Sequence, residues 1–560
     1  MTVGTACAGR DRVSAGGDER GTATRDTPRN AERGARVLDA AGSAERDALV
    51  LALDQGGQSS RALVLDARGN VVAKAARAVG ERREGESRVE QDGEELVRSL
   101  AECVEEITRA LGSEVARVQA AGLATQRSSI ACWDRASGAA LGPVLSWQDR
   151  RAAAALEPLR ANEAWIVERT GLRLSPHYGA TKLAWCLAHE PLVRAARERG
   201  TLALGPLASF LAHRLAAERP LVADPANASR TLLWNLARGD WDDELCALFG
   251  VPRALLPGCV PTRSAFGTLA VGATRVPLTI VNGDQSCALF AGGAPDADAL
   301  YANFGTGAFL QRPVLGEAPA IDGLLRSVVL GERAERTCVV EGTINGAGSA
   351  LAHHARELGV AEWERALEVA LRDVRDPPLF LNGHSGIAAP FWRSEFRSRF
   401  VADERRAGAP SAPNASCASG APSEATEPSA DALPSARAAP RASKELVAIA
   451  ESIAFFARSI VERMDTALPR ARRVLASGGL ARSDAFVQLL ADVLELDVER
   501  RDEPEATARG LAWLLFAGLD PQTARFEEPA PARFAPRANS PARARYPRWR
   551  AELEGALGNA

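Results

Sequence analysis

The chain has 560 residues, too many for one small domain, so two or more lobes are expected. With 46% hydrophobic residues, 25% charged residues and a formal charge of −3, it has neither the broad basic surface of a nucleic-acid binder nor a polyanionic tail. Nine scattered cysteines without a CxxC pair argue against a disulfide or zinc framework and point to a reducing cytoplasm.

Residues 1–46 are polar, rich in Gly, Arg and Asp, and aperiodic; a disordered N-terminal extension, or a start assigned too far upstream, is expected there. No apolar segment marks a signal peptide, and no run reaches the ~18–20 apolar residues of a membrane span. Short apolar runs at 48–53, 62–66 and 71–75 read as strands, the last two joined by a turn at 67–70. Leu96, Leu100, Val104, Ile107 and Leu111 recur at spacings of three and four, the stripe of a helix lying on a sheet. The same alternation of β-type runs and amphipathic helices continues along the chain, an α/β pattern. Residues 403–443 interrupt it: rich in Ala, Pro and Ser, this stretch lacks the apolar residues to fold and should loop out as a disordered insert.

One feature occurs twice. A strand leads into Asp54-Gln-Gly-Gly-Gln-Ser-Ser60, and Arg61-Ala-Leu-Val-Leu-Asp66 leads out; much later Tyr301-Ala-Asn-Phe leads into Gly305-Thr306-Gly307, and Ala308-Phe-Leu-Gln311 leads out. Each reads as a hairpin whose turn combines Gly with Ser or Thr, so that backbone N–H groups and hydroxyls can approach an anion closely. Asp284 stands where the apolar strand Ile280-Val-Asn-Gly gives way to a helix, a place for an N-cap or for a general base. Gly478-Gly479 follows another strand, where bare backbone could lie against a nucleotide.

Together and in this order these stretches resemble the FGGY carbohydrate kinases, most closely their glycerol-kinase branch. Further matches are Thr125-Gln126-Arg127 with Trp133-Asp134, Ser146-Trp147-Gln148-Asp149-Arg150-Arg151, Arg169-Thr-Gly-Leu, Thr181-Lys-Leu-Ala-Trp185, Asn227-Ala-Ser-Arg-Thr231 with Asp240-Trp-Asp-Asp243, and Gly283-Asp284-Gln285. The resemblance implies a two-lobed actin/hexokinase-type (ribonuclease H-like) ATPase fold with the active site in the interlobe cleft. It divides the chain into an N-terminal lobe at 47–292, a C-terminal lobe at 293–552 carrying the insert, and a tail at 553–560. It implies transfer of the γ-phosphoryl group of ATP, with Mg²⁺, to a hydroxyl of a small polyol or sugar. By resemblance, Asp284 is the general base, Asp54 the Mg²⁺ holder, and Arg127, Ser128, Trp147, His177, Gln285 and Phe309 the substrate pocket. Gly57, Ser59, Arg61, Gly305, Thr306 and Gly307 would face the phosphates, and Gly478, Gly479 and Asp484 the adenosine.

The departures from the glycerol-kinase pattern are specific. Gly57-Gln58 stands for Thr-Thr, Ser128 for Glu, His177 for Tyr, Arg393 for Asp and Asp484 for Asn. Ser128 should leave Arg127 without its usual counter-charge and the pocket roomier, so a larger polyol or a ketose joins glycerol as a candidate substrate. The altered hairpin also motivates an alternative, a weak or inactive nucleotide-binding relative with a regulatory role. The stretch Val271-Gly272-Ala273-Thr274-Arg275 is too short for the fructose-bisphosphate loop of bacterial relatives, and that regulation is not expected.

Other signals have simpler readings. His353-His354 should point to different faces of a helix and not bind metal. Glu90 and Asp92 precede an amphipathic helix and read as capping rather than as a glycosidase pair. The Arg-rich stretch 533–550 reads as a solvated tail, and no nucleic-acid partner or membrane insertion is expected; homo-oligomerisation is left open. Of 68 basic residues only Lys74, Lys182 and Lys444 are lysines, a bias that with abundant alanine reads as GC-rich coding.

Overall fold

The computed structural model describes residues 48–333, 335–401, 438–501, 503–520, 526 and 530–558. The expected N-terminal extension, and the expected insert from 403 to 437, lie outside the described residues.

The first apolar run forms β1 (Leu49–Gln55), buried along its whole length. It turns at Gly56-Gly57 into antiparallel β2 (Ser59–Asp66), with Gln55 opposite Ser60, and β2 pairs in turn with β3 (Val71–Ala78). Helix α1 (Gly93–Leu111) follows; Asp92 caps it, its Oδ1 accepting from the Glu94 amide at 2.8 Å, and the expected stripe of Leu96, Leu100, Val104, Ile107 and Leu111 is buried against the sheet. Two parallel strands complete this layer, β4 (Val118–Thr125) beside β1 and, after an edge strand β5 (Thr268–Val271), β6 (Thr274–Gly283) beside β4. The six-stranded order is β5-β6-β4-β1-β2-β3.

The second half repeats the plan. After the short helix α2 (Asp284–Ala288), β7 (Ala299–Phe304) turns into antiparallel β8 (Ala308–Leu315). β9 (Leu325–Gly331) and β10 (Arg336–Ile344) add a further antiparallel pair, with β10 against β8. Beyond α3 (Ala438–Met464), β11 (Arg473–Ser477) lies parallel to β7. α4 (Asp484–Leu494) then leads to β12 (Asp497–Arg500), parallel to β11. Thus β10-β8-β7-β11-β12 matches β3-β2-β1-β4-β6 strand for strand: two antiparallel steps, then two parallel ones. This is a duplicated two-lobed actin/hexokinase-type architecture. The first lobe also carries a second, five-stranded sheet that includes Ile130–Asp134, Val144–Leu145 and Leu202–Pro206.

α5 (Ala506–Leu519) joins the lobes. Apolar nearly all round, it packs Leu511 against Gly122 of β4, where an added Cβ would come 2.6 Å from a Leu511 methyl carbon. At Gly510 it crosses α2 so closely that a Cβ would lie 1.8 Å from the Cys287 carbonyl oxygen. Val50, Ala52, Ile280, Phe290, Leu511 and Leu515 bury themselves in this shared core.

Two expected boundaries are corrected. α3 begins at Ala438 and already buries Ala442, so residues 438–443 belong to the helix and not to the insert. The Arg-rich stretch 533–550 is no solvated tail: it holds β13 (Ala532–Phe534) on β12, then α6 (Pro541–Gly558). α6 buries Tyr546, Trp549 and Leu553, so packing continues past residue 552, where a tail was expected. Its arginines are matched by carboxylates, Arg537 to Asp492 at 2.6 Å and Arg545 to Glu451.

Candidate active site

Asp284 is the first residue of α2, at the C-terminal end of β6. The cap of that helix is Gly283, and the Asp284 Oδ1 accepts from the adjacent Gln285 amide at 2.7 Å. Burial raises its carboxyl above the ordinary aspartate range, while Arg127 opposes the shift. Gly283 is needed here because a Cβ would come 2.6 Å from the Arg127 side chain, which lies across the strand end. Arg127 in turn donates from Nη2 to the Gln285 Oε1. Its Nη1 is buried without a hydrogen-bond partner, a donor left for a ligand.

Asp54 stands near the end of β1, in the same sheet and two strands from the β6 end that leads into Asp284. Burial, then the charges of Asp284 and Glu505, push its carboxyl up to about 7, against the pull of Arg61 at 3.8 Å. Arg61 also reaches Glu505 at 3.4 Å, and Lys74 pairs with the same carboxylate, so β2 and β3 of one lobe meet the start of α5 from the other. In the first turn the Gly57 carbonyl accepts from Gln91 at 2.9 Å, and Gln126 donates to Gln91 at 2.6 Å, which ties the hairpin to the segment carrying Arg127. Ser60 is used internally, on Gln55 at 2.8 Å and Ser99 at 2.6 Å, whereas the Ser59 hydroxyl finds no partner among the described residues.

The second turn is braced by the backbone. The Ala347 amide donates to the Thr306 carbonyl at 3.0 Å, and the Gly348 amide to the Gly305 carbonyl at 2.9 Å. Gly478, at φ +94°, packs its Cα face on Phe304; a Cβ would sit 2.5 Å from the Phe304 carbonyl oxygen. The two glycine turns of the second lobe are therefore neighbours. Asp484 turns away to an ion pair with Arg500 at 2.6 Å and stays exposed. A cleft of about 880 Å³ is lined by Arg61, Asp284, Gln285, Phe309, Gly478 and Gly479, bringing phosphate-side, substrate-side and adenosine-side candidates into one cavity.

Exposed Trp147 and half-buried His177 lie side by side, their rings 6.4 Å apart and the His177 Nδ1 3.0 Å from the Trp147 carbonyl oxygen. Ser128 sits beside Arg127 with φ +66°, a left-handed backbone that a serine adopts only under constraint. Its replacement of Glu does not strip Arg127 of a counter-charge, contrary to the expectation from sequence. Glu341 on β10, fully buried, approaches Arg127 at 3.8 Å and Arg230 at 2.8 Å, and accepts from Gln311 at 2.7 Å. The Arg230 guanidinium also lies 5.8 Å from the centre of the Tyr178 ring.

Sequence reasoning missed Glu341, Glu505 and the role of Arg230. Glu341 had a signal, a lone carboxylate inside the apolar strand Cys338-Val-Val-Glu-Gly342, which demands a buried partner. His353 and His354 do not diverge as expected: their rings stand 5.5 Å apart, and each meets Glu357 at 3.3 Å, an i,i+4 and an i,i+3 approach on one helical turn. Among the described residues no three such groups could hold a metal by themselves, and the seven described cysteines are free thiols.

Comparisons with known proteins agree with this geometry. Residues 49–291 match the N-terminal domain, and residues 300–519 the C-terminal domain, of the FGGY family of carbohydrate kinases. The chain is 34% identical to a glycerol kinase of Thermus brockianus over 91% of its length and 98% of the relative's. It is 33% identical to glycerol kinase 1 of Pseudomonas aeruginosa, over 84% of its length and 90% of the relative's. Its fold matches a Plasmodium falciparum glycerol kinase solved with ADP (TM-score 0.76, 21% identity, 91% of this chain and 98% of that one). It equally matches a xylulose kinase of Brucella ovis (TM-score 0.76, 20% identity, 91% and 100%). The chain belongs to the FGGY family of carbohydrate kinases, enzymes that transfer a phosphoryl group to an alcohol.

Proposed function

We propose that this kinase phosphorylates a hydroxyl of glycerol or of a somewhat larger polyol or ketose, using ATP in the cleft between its lobes. The observation that carries the reading is the convergence of Asp284, Gln285 and the unpartnered Arg127 Nη1 at the end of β6, beside Asp54 and Arg61. Arg127 and Gln285 orient the acceptor hydroxyl, and Asp284 takes its proton as the oxygen attacks the γ-phosphorus of ATP. Burial raises the proton affinity of Asp284, which makes it a better base than an exposed aspartate, and Arg127 opposes that shift. Arg61, Ser59 and the amides of the two glycine turns receive the phosphate oxygens.

Mg²⁺ suits this site. The charges of Asp284 and Glu505 raise the proton affinity of Asp54, a repulsion that a hard dication would relieve. Asp54 would hold the ion, and when bound it supplies neutralisation of charge on the phosphates. Gly478 and Gly479 offer bare backbone to the adenosine; Asp484, committed to Arg500, is the weaker candidate there. Gln58 is exposed on the first turn and leaves the acidic groups of the cleft untouched, so the altered hairpin does not argue for an inactive protein.

The acceptor side has a small Ser128 and the Trp147–His177 pair, which fits four- and five-carbon acceptors as well as glycerol. A coupled ADP-release assay across glycerol, erythritol, xylitol and D-xylulose tests the reading. Substrate-stimulated ADP release from at least one is expected; release from none would overturn it.

A further inference from the structure

The pocket loops meet at one ammonium group. Lys182, in the second turn of helix Gly179–His189, is fully buried and donates to three backbone carbonyls: Ser128 at 2.8 Å, Ser146 at 2.9 Å and His177 at 2.8 Å. Each carbonyl belongs to, or immediately precedes, a residue of the acceptor pocket: Ser128 itself, Trp147 and His177. The three segments lie far apart in sequence; the first two are also joined by pairing of Ile130 with Leu145 and by the bond from the Trp147 amide to the Ser129 hydroxyl at 2.9 Å, and His177 reaches the Trp147 carbonyl, but Lys182 bonds to all three at once. An ammonium has three hydrogens, and here all three are used. In a chain with only three lysines among 68 basic residues, this one stands where a planar guanidinium cannot aim at three converging carbonyls.

We propose that Lys182 is a positioning residue of the acceptor pocket: by holding the Ser128, Ser146 and His177 carbonyls together, it sets where Ser128, Trp147 and His177 stand over the alcohol. The proposal rests on the polyol-kinase reading of this pocket. It also explains how Ser128 keeps its left-handed backbone, since its carbonyl is pinned. The charge is costly to bury: burial lowers the Lys182 ammonium to about 7, with Asp149 and Cys186 opposing that shift and Arg151 adding to it. Asp149 is itself committed to Arg151 at 2.7 Å and to the Val89 amide at 2.7 Å. Burial lowers the pKa of the His177 ring, with the Trp147 carbonyl opposing and the Lys182 and Arg150 charges adding to that shift, and the three carbonyls are the direct partners of the ammonium.

Lys182→Met removes the donors and keeps the length of the side chain. In the purified full-length enzyme the KM for the acceptor (glycerol, or whichever of erythritol, xylitol and D-xylulose the wild type uses best) should rise about 10–100-fold, with kcat and the KM for ATP within about threefold. Lys182→Arg should not restore the acceptor KM; full restoration would reduce the role to bare charge and overturn the proposal. Amide hydrogen exchange reads the same device without turnover. Peptides covering 126–130, 145–149 and 175–180 should exchange faster together in Lys182→Met, while 303–308 keeps its wild-type rate. An equal rise in both KM values, or exchange that is unchanged or raised throughout the chain, refutes it. Should Lys182→Met fail to fold, the wild type decides: a neutral amine offers two hydrogens to three carbonyls, so the acceptor KM should climb several-fold from about pH 6 to about pH 9. A level acceptor KM overturns the proposal. A wild type that turns over no acceptor refutes the kinase reading alone, and the exchange measurement still decides the role of Lys182.

Discussion

Replacing Glu341 by Gln tests the buried charge network that joins the lobes. Its carboxylate has no solvent exposure, accepts from Arg230 at 2.8 Å and Gln311 at 2.7 Å, and faces Arg127 at 3.8 Å. The amide keeps the shape and one acceptor oxygen but leaves two buried guanidinium groups without their anion. Removing one member of a buried ion pair costs about 3–5 kcal/mol, because the charge left behind is uncompensated. The remaining amide oxygen can still accept from Arg230, which puts the expected loss near the lower end, about 3 kcal/mol in urea unfolding. Arg230→Met should cost about as much, and the double variant less than the sum by at least about 1 kcal/mol, since the second change removes the charge stranded by the first. The pH dependence has a definite sign. Burial opposes ionisation of Glu341, but Arg230 and Arg127 outweigh it and hold its pKa below the ordinary 4.5. Its contribution is therefore present above pH 4.5 and lost as the pH falls through and below that value; Glu341→Gln should remove this part of the acid limb of a stability–pH curve. A variant within about 0.5 kcal/mol of wild type, with strictly additive double-mutant energies, would refute the network.

Asp284→Asn should fold normally and lose about 10²–10⁴-fold in kcat, read by coupled ADP release; a near-wild-type rate removes Asp284 from the mechanism. Gly510→Ala should lower the melting temperature and soluble yield sharply, because its Cβ would fall 1.8 Å from the Cys287 carbonyl oxygen where α5 crosses α2; wild-type stability would mean that the crossing relaxes freely. Joining residue 402 to Ala438 through a short Gly/Ser bridge should leave activity and stability nearly unchanged; insoluble protein would show that the removed stretch packs on a lobe. Ser128→Glu with His177→Tyr should raise kcat/KM for glycerol relative to five-carbon acceptors, and an unchanged ratio would take the two positions out of specificity.

The fold was legible because its signals are local. Short apolar runs at 48–53 and 62–66, the stripe from Leu96 to Leu111, and paired Gly turns each mark an element within a few residues, and those elements formed as read. The boundaries that failed did so where local composition misleads. Alanines at 438–443 read as low complexity but extend α3, and arginines after 533 read as a solvated tail because their partners Asp492 and Glu451 lie far away in sequence. Asp484 was assigned from its place after the glycine pair, yet Arg500, from the next strand, takes its carboxylate.

In the candidate acceptor site the residues that the structure brings together were legible, and what holds them was not. Asp284, Gln285 and Arg127 sit in recognisable strings, whereas Glu341, Glu505 and Arg230 act across the cleft, and nothing in a linear sequence pairs residue 230 with residue 341. This has a consequence for Ser128. Reading the pocket as a set of local substitutions makes the loss of a glutamate there a loss of charge beside Arg127. In three dimensions an anion comes from β10: Glu341, shared with Arg230, lies 3.8 Å from Arg127, which so keeps a carboxylate neighbour although residue 128 is a serine. On the proposed reading of the pocket the carboxylate beside Arg127 is then Glu341, and residue 128 bears on selectivity through the size of its side chain.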